Sequence, residues 1–139
     1  MKKLSIVTVT FLCFLIGTQS MCFAQQKPKQ QPTNVQAYCA GALVALAWLA
    51  GAPDYDKYNS DREFCRDSAD FYYKWAGYLK WLGEKVTLPQ ALAKCHRDIT
   101  NVAYGLADAY SKEDFFTVGL AKVTLAMLAV QWSEEVNKL

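Results

Sequence analysis

Two stretches of this chain are apolar on every side of a helix, and that feature limits its fold more than any other. From Ala37 to Ala52 no side chain is charged or strongly polar. From Phe115 to Trp132 the one charge is Lys122, while Leu120, Val123, Leu125, Met127, Leu128 and Val130 fall all the way round a helical wheel. A helix with no polar side has to be covered on every side. A four-helix bundle of this size leaves roughly half of each helix facing water, so two such helices ask for more cover than one bundle supplies. Three sources can supply it: a protein partner or second copy, the chain's own Tyr-rich loop and ends, or a membrane. The membrane ranks last. Sixteen residues rich in Ala and Gly fall short of the ~20 that a spanning helix needs, and Lys122 interrupts the other candidate.

The rest of the chain frames these two helices. The first covers 34–50 and stops at Gly51 with Pro53 beyond it, a helix-ending pair. The second opens with Ser60 as N-cap and Glu63 three residues on, a capping box, and ends at Gly83. The third opens with Thr87-Leu88-Pro89-Gln90, Thr87 as the expected N-cap with Gln90 three residues on and proline in the first turn, and continues to about Tyr110. The fourth is capped by Ser111, covers 112–137 and carries Glu113 and Asp114 in its first turn, where the helix dipole favours acids.

The middle two helices are amphipathic at a period of 3.6 residues. Phe64, Ser68, Phe71, Trp75, Tyr78, Leu79 and Leu82 share one face of the second. Leu88, Leu92, Cys95, Ile99, Val102, Leu106 and Tyr110 line the third. No stretch alternates as a strand does. The fold class is all-α, a small four-helix bundle-like domain over 34–139.

Ahead of that domain, Lys2 and Lys3 precede the charge-free run Leu4 to Ile16, and Cys22-Phe23-Ala24 places small residues at a cleavage site. These are the three parts of a secretory signal peptide, assigned to 1–24. Residues 25–33 are polar with two prolines and read as a flexible tether. Export to the bacterial periplasm or beyond follows as an expectation. Cleavage leaves Cys39, Cys65 and Cys95, which in an oxidising compartment means one disulfide and one spare thiol. In a square bundle the first and third helices lie on a diagonal, about 13 Å apart, which counts against Cys39–Cys95. Cys39–Cys65 is the expected pair, provided the loop 52–59 climbs back along the first helix. Cys95 is then free or an alternative partner.

Function is far less legible than fold. Without the leader, 13 basic side chains balance 13 acidic ones, which excludes the basic excess of a nucleic-acid binder. His96 is the only histidine. It cannot pair with the adjacent Cys95 as base and nucleophile, because neighbours on a helix point ~100° apart; it reads as a histidine at the edge of the apolar stripe. The acidic loop from Asp54 to Asp61 departs from the EF-hand pattern at Tyr58, Asn59 and Cys65. No phosphate loop, Cys-x-x-Cys or His-Glu-x-x-His occurs, so no cofactor, metal or catalytic residue is assigned.

Two surface features remain. Tyr73 and Trp81 project with Asp70 and Lys74 on the polar side of the second helix, the make-up of a surface binding site. Leu43, Leu46, Leu120, Leu125 and Leu128 are the expected apolar interface of the first and fourth helices. The expected function is a non-catalytic helical interaction protein of the envelope that binds a protein partner or forms a homodimer. The alternative is a carrier holding a small apolar ligand between those helices.

Overall fold

Each helix begins where a short polar side chain or a proline frees the backbone from the preceding segment. In the computed structural model, which describes residues 33–51 and 53–139, the order is α1 (Asn34–Ala50), a 3-10 turn (Tyr55–Lys57), α2 (Asp61–Glu84), α3 (Gln90–Ser111) and α4 (Phe115–Val136). No strand occurs among the described residues. Ser60 caps α2 by accepting from the Glu63 amide, as its sequence indicates. Thr33, assigned to the tether, instead caps α1 in a reciprocal capping box with Gln36. Pro89 is the N-cap of α3 and makes no side-chain bond, so Thr87 is not the cap expected there. The fourth helix starts three residues later than expected. Ser111 belongs to α3, Glu113 takes a left-handed turn at φ 57°, and Asp114 caps α4 through the Thr117 amide. Leader residues 1–24 and tether residues 25–32 lie outside the described residues.

The four helices form a closed ring of neighbours, α1–α2–α3–α4 and back to α1, with α2–α3 and α3–α4 the tightest pairs and α1–α4 the loosest. Successive helices run antiparallel. Phe64 at the start of α2 meets Tyr110 at the end of α3, and His96 early in α3 meets Leu79 late in α2. The core holds Tyr38, Leu49, Tyr72, Leu79, Leu92, Ile99, Leu106, Tyr110 and Trp132, all fully buried. Burying side chains of this size stabilises by about 1.5–3 kcal/mol each.

No disulfide joins the described cysteines; Cys39, Cys65 and Cys95 are separate buried thiols. The antiparallel run of α1 and α2 explains why the expected Cys39–Cys65 bond is absent. A Cβ on Gly41 would meet Tyr78 and Leu82, so the start of α1 lies against the end of α2, whereas Cys65 sits in the first turns of α2. At 1.5 Å per residue that separates the two sulfurs by about 20 Å along the bundle, against the ~6.8 Å between Cα atoms that a bridge tolerates. The loop does not climb back. Tyr55 and Tyr58 hold it at the other end by packing edge-on against Phe64. Cys95 turns instead to α4, donating to the Leu128 carbonyl at 3.4 Å.

Gly83 fits α3 against α2. A Cβ there would stand 2.6 Å from His96 Nε2, whose ring is fixed at both nitrogens. The Cβ of an alanine at position 41 would meet the Tyr78 hydroxyl at 2.8 Å, but that atom ends a movable side chain. Gly83→Ala is expected to cost about 1–3 kcal/mol and Gly41→Ala markedly less, as read from urea midpoints of the two variants. Equal costs would contradict the tight seat assigned to His96.

Candidate functional site

Two places in the bundle carry unusual chemistry: a buried polar relay at one end and the outer face of α4. The relay runs through all four helices. Trp132 Nε1 of α4 donates to the Tyr38 hydroxyl of α1 at 3.0 Å. Tyr38 is 2.9 Å from His96 Nδ1 of α3, and His96 Nε2 is 2.8 Å from the Leu79 carbonyl of α2. A carbonyl only accepts, so Nε2 carries the proton, and the neutral ring then accepts from Tyr38 at Nδ1. Burial holds the imidazole below its ordinary pKa, opposed in part by the bond to Leu79. The same burial raises the Tyr38 phenol far above its usual range, opposed by the bond from Trp132. His96, read from the sequence as an edge residue, is 4% exposed. Both ring nitrogens are occupied, so here it ties helices together.

On α4 the inward face is Val118, Leu125, Ala129, Trp132 and Ser133, with Ala121, Leu128 and Val136 packed at its margins. Opposite lies a second apolar line. Phe116, Leu120, Val123 and Met127 are 78, 55, 57 and 68% exposed. Their spacing of four, three and four residues puts them on one narrow stripe. Phe115 beside it is half exposed. By length and composition α4 could cross a membrane, and only 22% of its most apolar window is buried in the bundle. Lys122, the charge within this segment, folds back so that its ammonium lies 5.6 Å from the centre of the Tyr110 ring on α3.

The five leucines expected at an apolar interface therefore separate. Leu46 and Leu125 are core, Leu43 and Leu128 are half-buried against it, and Leu120 alone is exposed. The correction has a simple cause. A helix apolar all round gives no sign of which side faces inward, so pattern alone could not sort them. Phe116 was missed although its aromatic side chain in the first turn is the most exposed of the stripe. On α1 the outer side is mostly alanine, with Ala37, Ala40 and Val44 exposed. Trp48 is partly covered by stacking on Trp75 of α2, with ring centres 5.8 Å apart.

Asp70, Tyr73, Lys74 and Trp81 are all exposed on α2, the first three as neighbours one turn apart, but the two aromatic rings lean on different partners. Tyr73 leans on Tyr104 of α3, 5.4 Å between centres. Trp81 turns the other way, stacked on Tyr78 with the Lys85 ammonium 5.8 Å from its ring centre. A surface cleft of about 810 Å³ between the start of α2 and the end of α3 is lined by Arg62, Arg66, Asp70, Ser111 and Glu113, with Cys65 in its wall. Burial raises the pKa of that thiol, which weakens it as a nucleophile. Among the described residues no three His, Cys, Asp or Glu side chains gather to hold a metal ion. No protein-family model, curated protein or solved structure matches this chain.

The relay makes stability depend on pH. The unfolded chain protonates His96 near 6.5 and the folded chain only at lower pH. Between those two values the unfolded state binds a proton that the folded state refuses, so stability falls as pH drops through that window and is complete above it. The melting temperature is expected to fall from about pH 7.5 to about pH 5, and His96→Gln is expected to flatten that slope while lowering the plateau. A slope unchanged in His96→Gln would show that other groups cause it.

Proposed function

We propose that this chain is an exported, non-catalytic helical interaction protein of the bacterial envelope that docks a protein through the outer face of α4. The observation that carries this reading is the stripe Phe116, Leu120, Val123 and Met127, apolar and exposed on a helix whose other side is already committed to the core. Each such side chain left in water forgoes about 1.5–3 kcal/mol of burial, and an apolar line on an otherwise well-packed bundle is the usual mark of an interaction surface. Export rests on the leader sequence, Lys2-Lys3 followed by Leu4 to Ile16. The carrier reading draws less support from the packing. The sides of α1 and α4 that would line a ligand cavity are filled by Tyr38, Leu46, Leu125 and Trp132.

A photo-reactive amino acid placed at Leu120 or Met127 in living cells is expected to give protein adducts. The same group at Lys80, exposed on α2, is expected to give few. Absence of protein adducts from both α4 positions, with the protein folded and exported, would overturn the docking reading.

A further inference from the structure

Resting on that reading, we propose that the occupant of the α4 stripe is a second copy of this chain, whose own α4 packs antiparallel along it. The spacing of Phe116, Leu120, Val123 and Met127, extended by half-buried Val130, repeats every seven residues in steps of four and three. That is the seam one helix offers another, narrow and straight, and unlike the broad apolar half-cylinder that lies on a lipid surface.

Gly119 fits such a neighbour, although Gly105 on α3, away from the stripe, is equally open. A glycine inside a helix is destabilising relative to alanine, and close packing among the described residues does not explain it here. Among the described residues nothing lies within 4 Å of where its Cβ would stand. Gly119 flanks the stripe beside Leu120, and Ala126, seven residues on, continues the small flank. The space they leave suits a helix backbone arriving from outside.

Charge decides between a second copy and a charged partner. The exposed flanks Thr117, Gly119, Thr124 and Gln131 are neutral, and Lys122 is turned back onto Tyr110. Between Phe116 and Gln131 the stripe and its flanks therefore meet themselves without like-charge repulsion and offer no charge by which to select an oppositely charged protein. Glu134, exposed in line with the stripe, sets the direction. Parallel helices would bring two Glu134 carboxylates together. Antiparallel ones part the two carboxylates and set the two helix dipoles in opposite senses, the favourable arrangement. Area is sufficient. Each stripe side chain turns on the order of 100 Å² to water. With Phe115 and the flanks, two copies therefore bury on the order of 1,000 Å², near the lower limit of a specific interface.

The test is sedimentation over a wide concentration range of protein recovered from cells expressing the full-length chain, beside Gly119→Ala and Met127→Lys. A reversible monomer–dimer equilibrium is expected, on the order of micromolar. Gly119→Ala is expected to weaken it at least about tenfold while leaving the melting temperature of the monomer unchanged or raised. Met127→Lys is expected to abolish it without unfolding the chain. A mixture of Thr117→Cys and Gln131→Cys chains should crosslink under mild oxidation, and neither chain alone should do so. A monomer at every concentration, a dimer indifferent to Gly119→Ala, or crosslinking by Thr117→Cys alone would overturn the proposal. So would binding of the monomer to phosphatidylcholine–phosphatidylglycerol vesicles through this stripe. A monomer that still gives photo-adducts with a different protein defeats the second copy but leaves the docking reading standing. Loss of both signals defeats the two together.

Discussion

The Tyr38 hydroxyl is where the four helices are made to agree. It accepts from Trp132 and donates to His96, which in turn donates to Leu79, so one element from each helix enters a single buried chain of hydrogen bonds. Such a chain is stabilising only when complete. Removing one member leaves buried donors or acceptors unmatched, at about 1–3 kcal/mol apiece. It also requires a neutral imidazole, and the low dielectric of the site provides that. Gly83 belongs to the same arrangement, because its missing Cβ lets the ring approach the α2 backbone closely enough to reach Leu79. Apolar packing alone tolerates rotation of one helix against another. A relay with these partners does not.

That restriction determines which side of α4 is left over. With Trp132 pinned inward, the rest of the helix follows at 100° per residue, bringing Ala129, Leu125 and Val118 to the core. Phe116, Leu120, Val123 and Met127 must then face out, whatever their affinity for water. The exposed stripe is thus a geometric consequence of the buried relay. The outer groove between α1 and α2 is treated differently. There Phe71, Trp75 and Tyr78 are half-buried by stacking and edge-on contacts with one another and with Trp48, which itself stays about half exposed. Among the described residues, none gives the outer stripe of α4 such cover.

Much of the fold was readable before any coordinates. α2 and α3 announce themselves through apolar residues recurring on one side, and Ser60 with Glu63 marks the start of α2 correctly. Helices without a polar side were identifiable as helices, yet their orientation was not, which is why Leu46 and Leu125 were grouped with Leu120. The Cys39–Cys65 expectation failed because cysteine counting assumes that chain connectivity brings sulfurs close. Here antiparallel packing puts them at opposite ends of α2. His96 was misplaced because its burial depends on Tyr38, 58 positions away, and on a glycine in another helix. The start of α4 was displaced by the turn at Glu113, a left-handed residue with no glycine to signal it.

The account stands on α4 having one face spent on the core and a second held in reserve on the outside. Footprinting of side chains with hydroxyl radicals reads that directly, since Met127 and Phe116 react readily when wet and Trp132 serves as a buried reference. At high dilution, Met127 and Phe116 should be modified far faster than Trp132, and the excess should fade as concentration rises. If both are as protected as Trp132 at every dilution, the chain itself covers that face and the account is wrong.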